Sequence, residues 1–525
     1  MTATFFSCSR RPSAWTISRR IGAFEGVSVP SRSNTTSFLS LNAGFNFICI
    51  KRLRAFSIPI VPTPGNKWHA LPFSYRIRLA TLGAAAHSHE GGASHMIPDK
   101  DLRIAVIGND GRTHALVWKI AQSPLVADVA VFPGNPGTAE EPKVRNVELP
   151  NQKPTAIGDW CQTNRVHFAV VGPEAPLYAG LADELESRGI PVFGPRIEGT
   201  VIEKSKSFCK DLLIRHNIPT PRYAPCGDME SVRRRIMRHD WPAPMVLAAD
   251  GPAAGKGVGI VTAPADALAH AERWLPQGPM LDVEFIDGHE LSMFYAVRNG
   301  RLWPFGNARD YKRRYSGDIG PNTGSMGSDS PAQFLDARLE REIFETIAKP
   351  TVAALAEEKI AYTGTMFFGL TRRKSDGKVF VLEINCRTGD SETQAMLMRL
   401  RSDIVPFMAA ILRDEEPPAL LWDPRPAVCI TLVVKGYAET ERLPLGNPIF
   451  GLERLRDIPD FKVFHAGTAR QRGRLVTARG RVLNLVAKRR TAHEANIVAH
   501  NAANEVQFRG REWRYDIGIP LRSDR

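Results

Sequence analysis

At 525 residues the chain is too long for one ordinary hydrophobic core and calls for three or four domains. Its 43% hydrophobic and 24% charged residues exclude wholesale disorder, and no apolar run approaches the roughly 20 residues of a membrane-spanning helix. The net charge of +14 is concentrated at one end: residues 1–95 hold eleven Lys or Arg against Glu25 and Glu90, or +9 of the total. The remaining body is only mildly basic, which suits a phosphorylated small substrate better than a nucleic-acid duplex. Seven cysteines (Cys8, Cys49, Cys161, Cys209, Cys226, Cys386 and Cys429), without a C-x-x-C spacing, argue against a disulfide framework or a structural zinc site.

The first 95 residues are rich in Ser, Arg and Phe, poor in acids and without sustained periodicity. Two readings fit. The pairs Arg10-Arg11 and Arg19-Arg20 suit an organellar transit peptide, whereas Met96, immediately before the first regular strand, suits a start placed too early.

From Arg103, LRIAVIGNDGRTHALVWKIAQS reads as strand, glycine turn and helix; VADVAVFPGNPGT and HFAVVGPEAPL supply two further strands. Strands alternating with helices predict a parallel sheet with ligands at the carboxyl ends of its strands. The turn Gly108-Asn109-Asp110-Gly111 leads into a helix N-terminus, where free N–H groups and the helix dipole favour an anion, although a plain tight turn has the same pattern.

Near residue 200 the pattern changes. EKSKSFCKDLLIRHNIP, with Lys204, Lys206 and Lys210, predicts an amphipathic helix. A strand APMVLAADG, the loop Gly251 to Gly259 and a strand GIVTA follow. Small residues between two strands let backbone amides fold over phosphates, with Lys256 adding charge; a simple hairpin is the alternative. It is not a Walker A loop, because no Ser or Thr follows Lys256 and no helix follows the loop. In VFVLEINCRTGDSETQ, an apolar strand delivers Glu383 and Asn385 two residues apart and so on one face. Hard oxygen ligands there suit Mg2+ bridging nucleotide phosphates, and Arg387 follows at the turn, able to stabilise a transferring phosphoryl group.

The motifs GNDGRTHA, VVGPEAP, SKSFCKDLL, ADGPAAGKGV, GPNTGSMGS, EINCRTGDSETQ and VFHAGT fall in one order from about Arg103 to Gly518. In that order the chain resembles the glycinamide ribonucleotide synthetase (phosphoribosylamine-glycine ligase) family of ATP-grasp enzymes. The resemblance implies an α/β fold with an N-terminal parallel-sheet substrate domain, a two-part ATP-grasp clamp and a small mixed α+β C-terminal domain. It places the substrate domain over 98–199, the ATP-grasp domain over 200–418 with a glycine-rich lid near 219–287, and the C-terminal domain over 419–525, leaving 1–97 as the basic extension that composition marks out.

The resemblance also implies ATP with Mg2+ or Mn2+ as cofactors, and glycine and 5-phosphoribosylamine as substrates joined through a glycyl phosphate. No nucleic-acid or membrane partner is expected, and a cytoplasmic monomer is, unless the extension is a transit peptide. By position, Glu383 and Asn385 are the implied metal ligands. Lys206, Lys210, Gly251, Ala254, Gly255, Lys256, Gly257, Val258, Glu284, Phe285 and Glu290 are implied at ATP, with Glu290 on its ribose. Lys312, Arg313 and Arg387 are the implied catalytic groups. Gly108, Asn109, Gly111, Arg112, His114, Gly172, Pro173 and Glu174 cradle phosphoribosylamine; Asp310, Pro321, Asn322, Thr323 and Gly324 lie near the reacting groups, and Asp390 and Glu392 at the glycine end.

The chain departs from the family pattern at Ala248 (Lys in the family), Thr113 and Val283 (Glu), Tyr311 (His), Ser325 (Gly), Thr388 (Phe) and Ser391 (Pro). These departures keep two other readings open, a diverged ATP-grasp ligase for another small amino acid or amine, and a nucleotide-binding pseudo-enzyme. Because residues 1–95 offer no periodic apolar face to bury, a chain starting at Met96 is expected to melt at the same temperature as the full chain. A loss of more than a few degrees in a calorimetric scan would refute that expectation.

Overall fold

The computed structural model describes residues 97–251, 257–440 and 442–519, together with a two-residue ladder between Phe6–Ser7 and Ser37–Phe38. The expected strand, turn and helix at the start of the body are β1 (Leu102–Gly108) and α1 (Gly111–Ala121). With β2 (Val126–Pro133), β3 (Val144–Asn146), β4 (Phe168–Val171) and β5 (Val192–Phe193), β1 forms a five-stranded parallel sheet in the order β3-β2-β1-β4-β5. Its central strands are unbroken apolar runs because both faces are covered: Ala105 and Ile107 enter one core with Leu177 and Leu181, while Ile104 and Val106 enter another with Leu116 and Phe294.

The single helix expected over residues 203–219 is divided. Ser205 is extended, its hydroxyl accepts from the Phe208 N–H, and it caps α2 (Lys206–Arg215) after a short turn at Val201–Lys204. Serine bonds its own backbone readily enough to start a helix in the middle of an amphipathic run.

A four-stranded antiparallel sheet follows, built from β6 (Tyr223–Cys226), β7 (Met245–Ala249), β8 (Val258–Val261) and β9 (Met280–Val283) in the order β8-β7-β9-β6. Helices α3 (Met229–Arg238) and α4 (Pro264–Trp274) cover the face that carries Met245, Leu247 and Ala249. The opposite face carries Val246 and Ala248.

The largest sheet is antiparallel and has nine strands. β10 (Gly288–Arg298), β11 (Arg301–Asp310), β14 (Gly327–Ser330), β15 (Thr363–Arg373) and β16 (Val379–Asn385) form one half. A hairpin of β12 (Arg313–Tyr315) and β13 (Ile319–Asn322) stands off it. The other half contains β17 (Ala427–Val434), β18 (Phe461–His465), β21 (Arg481–Lys488) and β22 (Arg511–Glu512), backed by α6 (Ala492–Glu505). Before α6, α5 (Glu392–Arg399) packs on the sheet, and the hairpin β19 (Thr468–Gln471) and β20 (Arg474–Thr477) is buried at its base and exposed at its tip. Among the described residues no helix is long and apolar enough to cross a membrane.

The parallel sheet meets the large sheet backbone to backbone. Gly364, at φ +114°, leaves no room for a side chain, since a Cβ there would lie 2.8 Å from both N and Cα of Gly194. Gly364→Ala therefore combines a left-handed backbone with a backbone clash, and is expected to cost about 2–3 kcal/mol, measured from the urea midpoint. An unchanged midpoint would mean that this contact does not hold the two sheets together.

Candidate active site

The cleft is bounded by the β1–α1 turn, the β16–α5 segment, the open face of the four-stranded sheet and the residues that flank β12 and β13. At the turn, the α1 N-terminus holds the chain's own anion. The Asp110 carboxylate accepts from Thr113 N (3.0 Å), Thr113 Oγ1 (2.6 Å) and Arg112 Nε (2.8 Å). These partners offset its burial and hold its carboxyl well below the usual range. The expected anion site is thus internally capped.

Gly108, at φ +137°, and Gly172 are glycine because a Cβ at either would press on Thr113 Oγ1; Pro173 packs beside Gly108. Arg112 continues from Asp110 to Glu174 Oε2 (3.2 Å) and donates to the Thr388 carbonyl (2.8 Å). Arg387 Nε also donates to Glu174 (3.2 Å), and its Nη2 reaches Glu203 (2.8 Å) and Asn385 Oδ1 (3.0 Å). Burial raises the Glu174 carboxyl, but Arg387 and Arg112 outweigh it and bring it down to about 2. His114 is buried against Glu141 (3.0 Å) and accepts from the His465 N–H (2.8 Å), joining β18 to α1.

In β16, the register shift beside Leu382 leaves Glu383 opposite Gly369 and Asn385 opposite Phe367, so both side chains share a face while Ile384 enters the core. Lys312 sits 3.3 Å from Glu383 and 3.5 Å from Glu290. Lys312 draws the Glu383 carboxyl down to about 2, with Lys206 contributing. Burial opposes the Lys312 ammonium, yet the carboxylates of Glu383, Glu290, Asp310 and Glu392 raise it well above its ordinary range. Burial and the neighbouring Glu392 push the Asp310 carboxyl up to about 8, and burial raises that of Glu392.

With Asp310 and Glu392 drawn toward their neutral forms, Glu290 and Glu383 still outnumber the one ammonium between them, a negative surplus that a divalent cation relieves. Among the described residues no group of three or more His, Cys, Asp or Glu is arranged as a metal cage. Mg2+ takes one or two protein ligands and fills its shell with phosphate oxygens and water. Buried Asn385 keeps an unpartnered Nδ2, so its amide is not fully committed to the fold.

At the base of the four-stranded sheet, Asp250 accepts from Lys206 N (2.6 Å), Ser207 N (3.2 Å) and both serine hydroxyls of Ser205 and Ser207. Lys206 Nζ donates to the Gly251 carbonyl (2.9 Å). Lys210 donates to Thr220 Oγ1 (3.1 Å) and the Pro221 carbonyl (3.4 Å), and burial lowers it to about 8. Glu284 pairs with Arg222 (3.1 Å), and the Phe285 ring is partly exposed beside it. Gly257 and Val258 open β8; Val258 O accepts from Asn322 Nδ2 (3.3 Å), which joins this sheet to the β13 hairpin. Ala254, Gly255 and Lys256 lie outside the described residues.

Arg313 donates to the Gly320 carbonyl (2.8 Å), and Pro321 follows on β13. Thr323 bonds Lys312 O through both its N–H and its hydroxyl (2.8 Å each). Gly324 O accepts from Arg481 Nη1 (2.6 Å), whose Nη2 pairs with Asp390 Oδ2 (3.1 Å).

The departures fall into distinct places. Ala248, 3% exposed, faces the cleft between Val258 and Leu281 and supplies no cation. Val283 lies in β9, opposite Val246. Tyr311 is buried away from the cleft, accepting from the Gly518 N–H (2.9 Å). Ser325 and Ser391 share one hydrogen bond between their hydroxyls (2.9 Å). Buried Thr388 leaves its hydroxyl unpartnered. The reading from sequence missed Asp250, Glu203, Arg479 and Arg481; the first two stand inside or beside recognisable motifs, whereas the last two carry no local signal.

Residues 102–203, 204–393 and 427–520 match, in turn, the N domain, the ATP-grasp (A) domain and the C domain of phosphoribosylglycinamide synthetase. The chain is 39% identical over 425 residues to the phosphoribosylamine-glycine ligase of Pseudomonas aeruginosa, covering 79% of this chain and 97% of that one. It is 39% identical over 428 residues to that of Rhizobium meliloti, covering 79% and 98%. The crystal structure of phosphoribosylamine-glycine ligase from Thermotoga maritima superimposes with a TM-score of 0.67 at 28% identity, over 79% of this chain and all of that one. The biotin carboxylase domain of Hydrogenobacter thermophilus 2-oxoglutarate carboxylase, at 15% identity and a TM-score of 0.58 over 78% of this chain and 91% of that one, shares the fold. With its three domains matched in order and relatives alike over nearly their whole length, the chain belongs to the phosphoribosylamine-glycine ligase family of ATP-grasp enzymes.

Proposed function

We propose that this protein ligates glycine to 5-phosphoribosylamine with consumption of ATP, giving glycinamide ribonucleotide, ADP and phosphate in de novo purine synthesis. The observation that carries this reading is Lys312 held among Glu290, Asp310, Glu383 and Glu392 at the end of β16, facing the sheet that bears the glycine loop. A carboxylate is a poor electrophile; phosphorylation by ATP converts it to an acyl phosphate with a good leaving group. Mg2+ or Mn2+, when bound, neutralises the nucleotide phosphates, and Glu383 and Asn385 are the residues that would hold it. Lys206 and Lys210 face the phosphates, Lys312 steadies charge at the acyl group, and Asp390 and Glu392 mark the amino-acid end. The amine of phosphoribosylamine then displaces phosphate at the carbonyl carbon. Positioning three ligands and excluding water supply most of the acceleration in such a reaction. The reading needs no nucleic acid or membrane, and we place the enzyme in the cytoplasm as a single subunit.

The Ser325–Ser391 pair and Thr388 favour a second reading, in which the amino-acid end is remodelled for a small substrate other than glycine. ADP release measured with each small amino acid in turn, phosphoribosylamine present, separates the two: the first reading requires glycine to be preferred.

Glu383→Gln removes one charge from the metal position and is expected to lower ATP consumption by about a hundred-fold or more with the fold intact. Turnover at the unsubstituted rate would sink the metal assignment. Lys206→Met is expected to raise the Michaelis constant for ATP about ten- to a hundred-fold, the worth of one charge-assisted hydrogen bond. Ala248 opens on the same cleft, so adding Ala248→Lys to that variant should restore part of the loss. No recovery in a well-folded double variant would show that the two positions do not serve the same phosphates.

A further inference from the structure

A sugar phosphate brings a dianionic group into the site, and the β1–α1 turn that cradles it in the reading above has no anion position to spare. The α1 N-terminus is filled by the Asp110 carboxylate. The nearby guanidinium groups are already neutralised: Arg112 by Asp110 and Glu174, Arg387 by Glu174 and Glu203, Arg481 by Asp390. A phosphate approaching any of these meets the paired carboxylate as well as the cation.

Arg479, at the start of the link into β21, is different. Its Nη1 donates to Asn109 Oδ1 (2.9 Å), and its Nη2 to the carbonyls of Asn109 and Ala466, the latter at 2.8 Å. All three acceptors are neutral, the side chain is exposed, and among the described residues no carboxylate lies within ion-pair distance of it. Two main-chain segments and one side chain thus fix a full positive charge at the rim of the turn, with Nε unspent. Exposed Arg472 and Arg474 on the β19–β20 hairpin extend the positive field outward from the C-terminal domain.

We propose that Arg479 is the residue that receives the phosphate monoester of the sugar-phosphate substrate, oriented for it by Asn109 and the Ala466 carbonyl. The Nε–H and one Nη1–H of the guanidinium remain to donate to phosphate oxygens, and its charge persists at every physiological pH. The proposal rests on the ligase reading for the identity of the substrate, but the site itself is tested without turnover.

The test uses the full chain and two probes, ribose 5-phosphate and ribose, with binding followed by calorimetry. The unsubstituted protein is expected to bind ribose 5-phosphate more tightly than ribose. Arg479→Gln should weaken ribose 5-phosphate about ten- to a hundred-fold while leaving ribose unchanged, and Arg479→Lys should fall between. The side chain is exposed, so both variants should keep the native melting temperature; if one does not, the other decides. Equal affinity of Arg479→Gln and the unsubstituted protein for ribose 5-phosphate, or no binding of it by the unsubstituted protein, would overturn the proposal. ADP release with glycine and phosphoribosylamine is measured separately. Its absence with the phosphate discrimination intact would reject the ligase reading and leave the phosphate site standing.

Discussion

Two arginines, Arg112 buried and Arg387 partly buried, set the register on which the cleft depends. Arg112 lies between Asp110 and Glu174, and Arg387 between Glu174 and Glu203, so an alternating row of charges runs from the β1–α1 turn to the end of β16. Charges withdrawn from water are tolerated only when paired, and removing one member of such a row strands its neighbour at a cost of about 3–5 kcal/mol. The row therefore fixes the N-terminal turn against the strand that carries Glu383 and Asn385. It also limits what Arg387 can contribute. A guanidinium already shared by two carboxylates supplies orientation more than net charge, so in the proposed reaction the positive charge for a transferring phosphoryl group falls to Lys206 and Lys210, whose side chains donate to neutral oxygens.

The three lysines of the cleft are held in different ways. Lys206 and Lys210 donate to neutral oxygens and keep their charge for an incoming anion. Lys312 is surrounded by acids, so its own neighbourhood carries surplus negative charge and invites a metal ion. A nucleotide phosphate between the two regions meets uncompensated cations on one side and a cation-seeking carboxylate cluster on the other, an arrangement that holds phosphate and metal together rather than either alone. The absence of a cation at Ala248 is consistent with this division, because Lys206 already places an ammonium at the Gly251 carbonyl, at the entry to the glycine loop.

Much of this was legible in the sequence where the cause is local. The β1–turn–α1 unit, the strand before the glycine loop and the shared face of Glu383 and Asn385 follow from apolar runs, glycine placement and the two-residue period of a strand. The period holds at β16 because the register shift falls beside Leu382, before the pair. What was not legible depends on residues far apart in the chain or on competition for one position. An anion site at α1 is a fair expectation from Gly-Asn-Asp-Gly, yet whether Asp110 faces solvent or caps the helix is decided by Thr113, whose N–H and hydroxyl both turn to it. Arg479 lies 370 residues from Asn109, and neither carries a motif that predicts the other. His114 sits in the most recognisable stretch of the chain, and its ring nitrogens are both committed, one to Glu141 and the other to the backbone of His465, which lies far along the chain from it.

The same competition explains how the departures at 325 and 391 can coexist with an intact site. Ser325 occupies φ +118°, a conformation that suits the glycine of the family pattern and costs a side-chain-bearing residue about 1–3 kcal/mol. Its hydroxyl accepts from the Gly327 N–H (3.1 Å) and shares a hydrogen bond with the hydroxyl of Ser391, which stands where the family pattern has proline. The Ser391 carbonyl in turn accepts from Ser328 Oγ (3.0 Å). Buried hydroxyls are costly alone and favourable when each has a partner, so either serine by itself would weaken this wall, whereas the pair repays its strain. The conformational preferences of glycine and proline have thus been exchanged for a hydrogen-bonded bridge that holds the loop before β14 against the start of α5. Glu392 follows Ser391 directly and keeps its place beside Asp310 and Lys312, so the bridge maintains the geometry of the carboxyl cluster by other means.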